Sequence, residues 1–205
     1  MSSLVNNLIS KGYLKTDIII DAFSEIKRIE FIPKELESVA EVDVALPIGN
    51  GQTISQPLVV AFMLELLDPQ RDQKILDVGS GSGWTTALLS YIVGNEGKVF
   101  GIENINELKE FGEENVEKYG FIKKGIVRII QGDGSKGLPE EAPFDRILVS
   151  ASTDKIPQAL KDQLKIGGKL VIPIGSSVVY LEKKSETEFD KEEFPGFIFV
   201  PLIVK

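Results

Sequence analysis

The sequence contains no cysteine and no histidine among its 205 residues. Without cysteine there is no disulfide framework, no thiol nucleophile and no thiolate zinc site. Without histidine there is no Ser-His-Asp triad, no Cys-His pair and no imidazole-ligated metal. Any reaction must therefore proceed without a side chain that titrates naturally near neutral pH, and we expect no metal.

Basic residues are outnumbered, since 23 Lys and Arg against 31 Asp and Glu leave a formal net charge of −8. Nucleic-acid binding relies largely on Lys and Arg contacts to phosphates, so nucleic acid is a disfavoured partner. No apolar run is long enough for a membrane span, and residues 1–11 lack the pattern of a secretory signal. We therefore expect a cytoplasmic protein, without a membrane partner and monomeric.

From residue 74 onward, strand-like and helix-like segments alternate, which predicts βαβ units and a mainly parallel sheet. The predicted strands are residues 74–78, 98–102, 126–130, 146–150 and 169–174, and the predicted helices between them are 85–93, 106–119 and 157–164. Residues 178–183 and 196–204 predict a final antiparallel pair across an acidic turn, which brings the sheet to seven strands.

The N-terminal part has a different pattern. Residues 2–12 and a segment that starts after Thr16 show helical spacing of apolar residues, and residues 47–57 form a loop punctuated by glycine and proline. We expect one α/β domain over residues 1–205. In it, residues 1–57 supply a helical cap and a loop, and residues 58–205 form the core.

The first strand of the alternation leads into a glycine-rich loop that contains Gly79, Ser80, Gly81 and Gly83. Glycines allow a tight turn and close approach of a ligand, and the carboxyl ends of strands are where open α/β sheets bind ligands. Trp84 stands where a dinucleotide-binding loop has its third glycine, and no Lys-Ser/Thr pair completes a phosphate loop. The loop therefore favours another nucleoside ligand.

Two acidic residues indicate which ligand. Asp77 would repel a pyrophosphate but suits a ligand that carries a sulfonium and an ammonium group. Glu103 ends the second strand, where a carboxylate can accept two hydrogen bonds from a ribose diol. Capping of strands at the surface is the alternative for both residues, but their joint spacing favours S-adenosylmethionine as the cofactor and S-adenosylhomocysteine as its product.

A third element follows the third strand, where Asp133 and Gly134 can recognise an adenine ring through a carboxylate and a backbone amide. Gly-Asp-Gly is also an ordinary turn sequence. Its position in the alternation favours a role in cofactor binding.

The sequence resembles the protein-L-isoaspartate O-methyltransferase family over most of its length. The run most specific to that family is PIGNGQTISQP at residues 47–57. Further matching runs are LDVGSGSGW at 76–84, GIE at 101–103, GDGSKG at 132–137, PEEAPFDRI at 139–147, GKLVIPIG at 168–175 and FVPL at 199–202.

This resemblance implies a doubly wound, Rossmann-like class I methyltransferase fold and the repair of damaged proteins. Methyl is transferred from S-adenosylmethionine to the free carboxyl of L-isoaspartyl residues, so the implied partners are isoaspartyl-containing peptides and proteins. Ser55 corresponds to the family's active-site serine, with Thr53 and Ile54 beside it in substrate binding. Because a carboxylate is already ionised at neutral pH, no general base is needed, and we interpret Ser55 as a hydrogen-bond donor. The same hydroxyl can also cap the helix that begins at Pro57.

Three alternatives stay open at the level of sequence. The acceptor can be a different peptide or a small acid, or the chain can be a non-catalytic S-adenosylmethionine-binding module. Nucleic-acid methylation is a poorer choice because of the acidic charge and because no Asn/Asp-Pro-Pro-aromatic tetrapeptide is present.

Overall fold

The fold is given by a computed structural model that describes residues 2–203. Its helices and strands, in chain order, are α1 (Ser3–Ser10), α2 (Asp17–Glu25), β1 (Leu46–Gly49), β2 (Gln52–Ile54), α3 (Pro57–Leu67), β3 (Lys74–Val78), α4 (Trp84–Val93), β4 (Lys98–Glu103), α5 (Asn106–Glu117), β5 (Val127–Gln131), β6 (Phe144–Val149), α6 (Gln158–Asp162), β7 (Leu164–Ile174), β8 (Ser177–Lys183) and β9 (Phe189–Pro195). Short 3₁₀ turns lie at Arg28–Phe31, Lys34–Val39, Gly134–Lys136 and Pro139–Glu141.

Among these described residues, seven strands form one sheet in the order β5-β4-β3-β6-β7-β8-β9. The strands from β5 to β7 pair in parallel, and β8 and β9 are antiparallel. The strand order reverses between β3 and β6, and open sheets of this kind bind ligands at the carboxyl ends of the strands at that point. The predicted fold, mainly parallel with an antiparallel C-terminal pair, is confirmed.

The sheet is covered on both faces, which explains why its central strands are almost continuously apolar. In β3, Ile75 faces a hydrophobic cluster shared with α3, α4, α5 and the N-terminal helices, whereas Leu76 and Val78 face a second cluster that includes Leu160 of α6. Full burial of one such side chain contributes about 1.5–3 kcal/mol. The two clusters therefore fix β3, and the loop that follows it, in the centre of the sheet.

The prediction of a last strand at residues 196–204 is wrong. The last strand is β9, which pairs with β8 across a turn at residues 184–188, and it contains the acidic run Asp190–Glu193 that was predicted as turn. β9 lies at the sheet edge with its charged side chains exposed, and charged residues are common on edge strands because they discourage aggregation. Residues 196–203 instead return to the centre of the sheet as an irregular segment, and residue 204 lies outside the described residues.

The predicted loop at residues 47–57 contains a small hairpin. β1 and β2 pair antiparallel, with Asn50 and Gly51 at the turn, both in the left-handed region at φ 51° and 70°. Asn-Gly is a strong hairpin signal because both residues tolerate this conformation. The hairpin leads directly into α3, which begins at Pro57 as predicted.

Within residues 2–203, none of the helices combines the length and the apolar character needed to cross a membrane.

Candidate active site

A cavity lies at the carboxyl ends of β3, β4 and β6, where the strand order reverses. One wall is the glycine loop after β3, and the opposite wall is formed by β2 and by Ser55, which follows it. Its lining includes Ile48, Gln52, Thr53, Ile54, Ser55, Gly79, Ser80, Gly81, Ser82, Trp84, Glu103, Asn104, Ile105, Gly132, Gly134, Ser150, Ala151 and residues 200–203. The sequence predicted both walls, and the structure brings them to one cavity.

The glycine loop requires glycine for two reasons. Gly79, Gly81 and Gly83 all have positive φ, at 76°, 51° and 86°. At Gly83 a Cβ would also lie 2.8 Å from the carbonyl oxygen of Gly112 and 2.8 Å from Val116 Cγ2, both in α5. The third glycine therefore lets α5 pack against the loop, while Trp84 begins α4 as a buried side chain.

Asp77 lies beneath the glycine loop and is fully buried. Its Oδ2 accepts hydrogen bonds from Thr86 Oγ1 at 2.7 Å and Thr85 Oγ1 at 2.8 Å, in the first turn of α4. Burial raises the pKa of Asp77 to about 6, opposed by these two hydrogen bonds and assisted by the nearby charge of Glu103. Asp77 thus does not line the cavity wall, and its contribution to a cationic ligand would act through its charge and through the loop.

The raised pKa of Asp77 predicts a pH-dependent effect on stability. Its folded value of about 6 exceeds the ordinary value of about 3.9, so the folded protein binds more protons than the unfolded chain between them. Stability from this group is therefore present below about pH 4 and is lost as pH rises through 6. We expect Asp77→Asn to raise the melting temperature relative to the parent, with a difference that widens from pH 4 to pH 6 and then levels off. A constant difference across thermal melts at pH 4, 5, 6 and 7 would contradict the assignment.

Glu103 stands at the end of β4 and lines the cavity, although it is only 7% exposed. Its Oε2 accepts a hydrogen bond from the backbone amide of Gly81 at 2.9 Å, and its Oε1 accepts one from the amide of Ile105 at 3.0 Å. A carboxylate oxygen can accept more than one hydrogen bond, so both oxygens can still receive ligand hydroxyls. Glu103 therefore connects the glycine loop to the edge of the cavity.

Asp133 and Gly134 occupy different positions relative to the cavity. Gly134 lines it, and a Cβ there would lie 2.3 Å from Val78 Cγ1, so the backbone sits tightly against β3. The carboxylate of Asp133 accepts hydrogen bonds from the amide and the hydroxyl of Ser135, at 3.0 and 2.7 Å, and pairs with Lys136 at 3.3 Å. The structure thus shows Asp133 stabilising its own turn, and an adenine contact from it stays a prediction.

β2 and the residue that follows it carry the predicted substrate-binding residues. Thr53, Ile54 and Ser55 all line the cavity, and Thr53 and Ser55 also line a neighbouring cleft. The interpretation of Ser55 as a helix cap is wrong, because the N-cap position of α3 is Gln56.

Sequence reasoning missed the segment that closes the cavity on its outer side. Residues 200–203 line it, held by backbone hydrogen bonds between Ser152 and both Val200 and Leu202, each 2.8 Å long. Asn104 Nδ2 also donates to the carbonyl oxygen of Ile203 at 3.1 Å. This arrangement was not predicted because residues 196–204 were assigned to a strand.

Comparison with known proteins gives consistent results. The family model described as Protein-L-isoaspartate(D-aspartate) O-methyltransferase (PCMT) matches residues 1–205. The chain is 44% identical over 204 residues to the protein-L-isoaspartate O-methyltransferase of Methanopyrus kandleri, covering 98% of this chain and 89% of the relative. It is 45% identical over 205 residues to that of Flavobacterium psychrophilum, covering 98% and 93%.

A solved structure from Plasmodium falciparum has a TM-score of 0.87 with this chain. It is 27% identical in sequence, with coverage of 98% of this chain and 97% of the other. Its description is a protein-L-isoaspartate O-methyltransferase in complex with S-adenosyl-L-homocysteine.

Proposed function

The chain belongs to the protein-L-isoaspartate(D-aspartate) O-methyltransferase family, and on that basis we propose that it methylates the free carboxyl of L-isoaspartyl residues in damaged proteins. The methyl donor of this family is S-adenosylmethionine. The observation that carries the proposal is that Ser55 and the glycine loop line the same cavity from opposite sides. Residues 1–205 then act as one methyltransferase domain, which we expect to be a cytoplasmic monomer without a nucleic-acid partner.

The cavity fits S-adenosylmethionine in its chemistry. Glu103 offers carboxylate oxygens to a ribose diol, and the glycine loop allows close approach of the ligand to the backbone of Gly79, Ser80 and Gly81. The charge of Asp77 beneath that loop favours a ligand with cationic groups. Gly134 supplies a tight backbone surface for the adenine ring.

The bound cofactor supplies a methyl group on a sulfonium. The acceptor carboxylate has an ordinary pKa near 3.5 and attacks as the anion, so the absence of histidine removes nothing essential. The chain's own contribution is to hold the acceptor oxygen in line with the methyl group and to exclude water. Ser55 donates a hydrogen bond that orients the carboxylate, and buried Ile54 keeps the adjoining wall apolar.

The cleft beside the cavity supports a peptide as the acceptor. It is lined by Ser55, by Leu58 and Val59 of α3, and by the irregular segment 196–200, in which Ile198 is 96% exposed. An extended peptide lying in this cleft would place one of its residues at Ser55. The flanking residues of the peptide would then contact apolar side chains of the cleft. A free small acid would leave these surfaces unused.

The test of the proposal is methyl transfer to matched peptides. Methyl-labelled S-adenosylmethionine is supplied with two peptides that differ only in isoaspartate or aspartate at one position. We expect base-labile label on the isoaspartyl peptide alone. If neither peptide is labelled although the cofactor binds, the proposal is refuted, and a different acceptor or a non-catalytic binding module is favoured.

Substitution of Ser55 by alanine tests whether residues 53–55 bind the acceptor while the glycine loop binds the cofactor. We expect Ser55→Ala to lower turnover about tenfold, because one oriented hydrogen bond to a charged group contributes about 1.5 kcal/mol. The affinity for S-adenosylhomocysteine, measured by calorimetry, should stay within about twofold. A matched control is Ser185→Ala in the turn between β8 and β9, which should leave turnover unchanged. Loss of cofactor binding in Ser55→Ala would show that this assignment of separate roles to residues 53–55 and the glycine loop is wrong.

A further inference from the structure

Arg28 buries its charge inside the N-terminal cap, where it is only 5% exposed. Its guanidinium donates four hydrogen bonds, all to backbone carbonyl oxygens. Nη1 donates to Ala40 at 3.0 Å and Val42 at 3.1 Å, and Nη2 donates to Val44 at 2.8 Å and Ser55 at 3.2 Å. One side chain thus connects the segment 40–44 to the main chain of the predicted active-site serine.

The segment 40–44, which Arg28 holds, also contacts the residues that follow Ser55. Asp43 lies within it, and its Oδ1 accepts a hydrogen bond from the backbone amide of Leu58 at 2.8 Å, in the first turn of α3. The residues between Ser55 and Leu58 are therefore fixed at both ends, by Arg28 directly and by Asp43 through the ordered segment. The guanidinium carbon also lies 5.5 Å from the ring centroid of Trp84, which anchors the arrangement to the start of α4.

Burial of a guanidinium is unfavourable unless its donors are satisfied. The cost is visible in Arg28, since desolvation lowers its pKa to about 10 although the charge of Asp43 opposes the shift. An apolar side chain would fill the same space without this cost. What only the planar guanidinium provides is a fan of donors that fixes several carbonyl oxygens relative to one another.

We propose that Arg28 is a positioning residue for methyl transfer, which holds the Ser55 main chain where its side chain meets the acceptor carboxylate. The inference rests on the proposed function. Displacement of Ser55 by a fraction of an ångström weakens alignment of the acceptor with the methyl group, because proximity supplies most of the rate enhancement. The effect should appear with the peptide acceptor and spare the cofactor.

The test compares Arg28→Met and Arg28→Lys with the same two substitutions at Arg146. Arg146 is a matched control because it is also buried, at 7% exposure, and also donates to backbone carbonyl oxygens, those of Asp68 at 3.1 Å and Asp145 at 2.9 Å. It lies in β6, outside the residues that line the cavity and the cleft. Both pairs of variants lose a buried guanidinium, so an effect of stability alone would appear in both.

Kinetics with the isoaspartyl peptide are measured well below each variant's melting temperature, and the cofactor-binding fraction is titrated with S-adenosylhomocysteine. We expect Arg28→Met to lower kcat/KM for the peptide about tenfold or more, with the Kd of S-adenosylhomocysteine within about threefold. The kcat/KM of Arg28→Lys should lie between those of the parent and Arg28→Met, because an ammonium retains the charge but not the planar arrangement of donors. The Arg146 variants should melt at lower temperature yet keep kcat/KM within about twofold.

Equal losses of kcat/KM at Arg28 and Arg146, or an unchanged value in Arg28→Met, would overturn the inference. If Arg28→Met does not fold, the same comparison is made between the two lysine variants, and equal values there would overturn it as well. Failure of the parent protein to methylate the isoaspartyl peptide is a separate outcome, which would refute the proposed function.

Discussion

Replacement of Glu103 by alanine will weaken the binding of S-adenosylhomocysteine about 100-fold or more. Two hydrogen bonds from ribose hydroxyls to a carboxylate contribute about 1.5–3 kcal/mol each, and a loss of about 3 kcal/mol exceeds a factor of 100 in Kd. The same substitution removes the acceptor for the amide of Gly81, so the glycine loop loses its connection to β4. Both effects act in the same direction.

Two variants separate these contributions in a calorimetric titration. Glu103→Gln keeps one acceptor oxygen without the charge, and its affinity should fall between those of the parent and Glu103→Ala. Glu107→Ala removes an exposed carboxylate in the first turn of α5 and should leave the affinity unchanged. Affinity within about threefold of the parent in Glu103→Ala would refute the role of Glu103 in cofactor binding.

The second large effect is expected for Gly83→Ala. Positive φ costs a non-glycine residue about 1–2 kcal/mol, and overpacking typically costs about 1–3 kcal/mol more. The added Cβ would meet the backbone of Gly112 and the side chain of Val116, and neither the backbone nor a β-branched side chain yields easily. We expect the free energy of unfolding to fall by about 3 kcal/mol and cofactor affinity to fall about tenfold as α5 moves away from the loop.

Gly125→Ala is the matched control for the Gly83 substitution. Gly125 has φ +69°, but nothing lies within 4 Å of a Cβ there, so only the backbone cost remains. It should lose about 1 kcal/mol in urea unfolding and retain cofactor affinity. Similar losses of stability and binding in the two variants would show that contact with α5 is not what requires glycine at residue 83.

The sequence predicted the sheet and the glycine loop well because local signals determine both. Residues 74–78 were predicted as a strand, and β3 has the same bounds because its apolar residues Ile75, Leu76 and Val78 are buried on the two faces of the sheet. The three glycines of the loop all have positive φ, the conformation for which glycine is favoured. Prediction succeeded where a requirement at one position, such as burial or positive φ, determines the residue type found there.

The last strand shows where local signals mislead. Residues 196–204 are apolar and were predicted as a strand, but the described part of this segment, residues 196–203, lines the cleft and the cavity. The true strand, β9, is charged because an edge strand has only one neighbour and an exposed face. Only the pairing partner, which lies outside any short window of sequence, distinguishes these two cases.

The candidate site was partly predictable for a related reason. Ser55 and Glu103 were found through the glycine loop, the acidic strand end and the family resemblance, and both line the cavity. Arg28 gave no signal, because an arginine among charged residues looks like a surface residue, and only the fold shows that it is buried. Its link to Ser55 spans 27 residues of sequence.

The central claim is that the cavity aligns a methyl donor with an acceptor carboxylate at Ser55. The most direct test is a crystal structure of the protein with S-adenosylhomocysteine and an isoaspartyl peptide. The account predicts the ribose hydroxyls on Glu103, the peptide in the cleft beside α3, and the isoaspartyl carboxylate about 3 Å from Ser55 Oγ, on the side of the cofactor sulfur. A carboxylate held away from residues 53–55, or a ribose with no contact to Glu103, would contradict it.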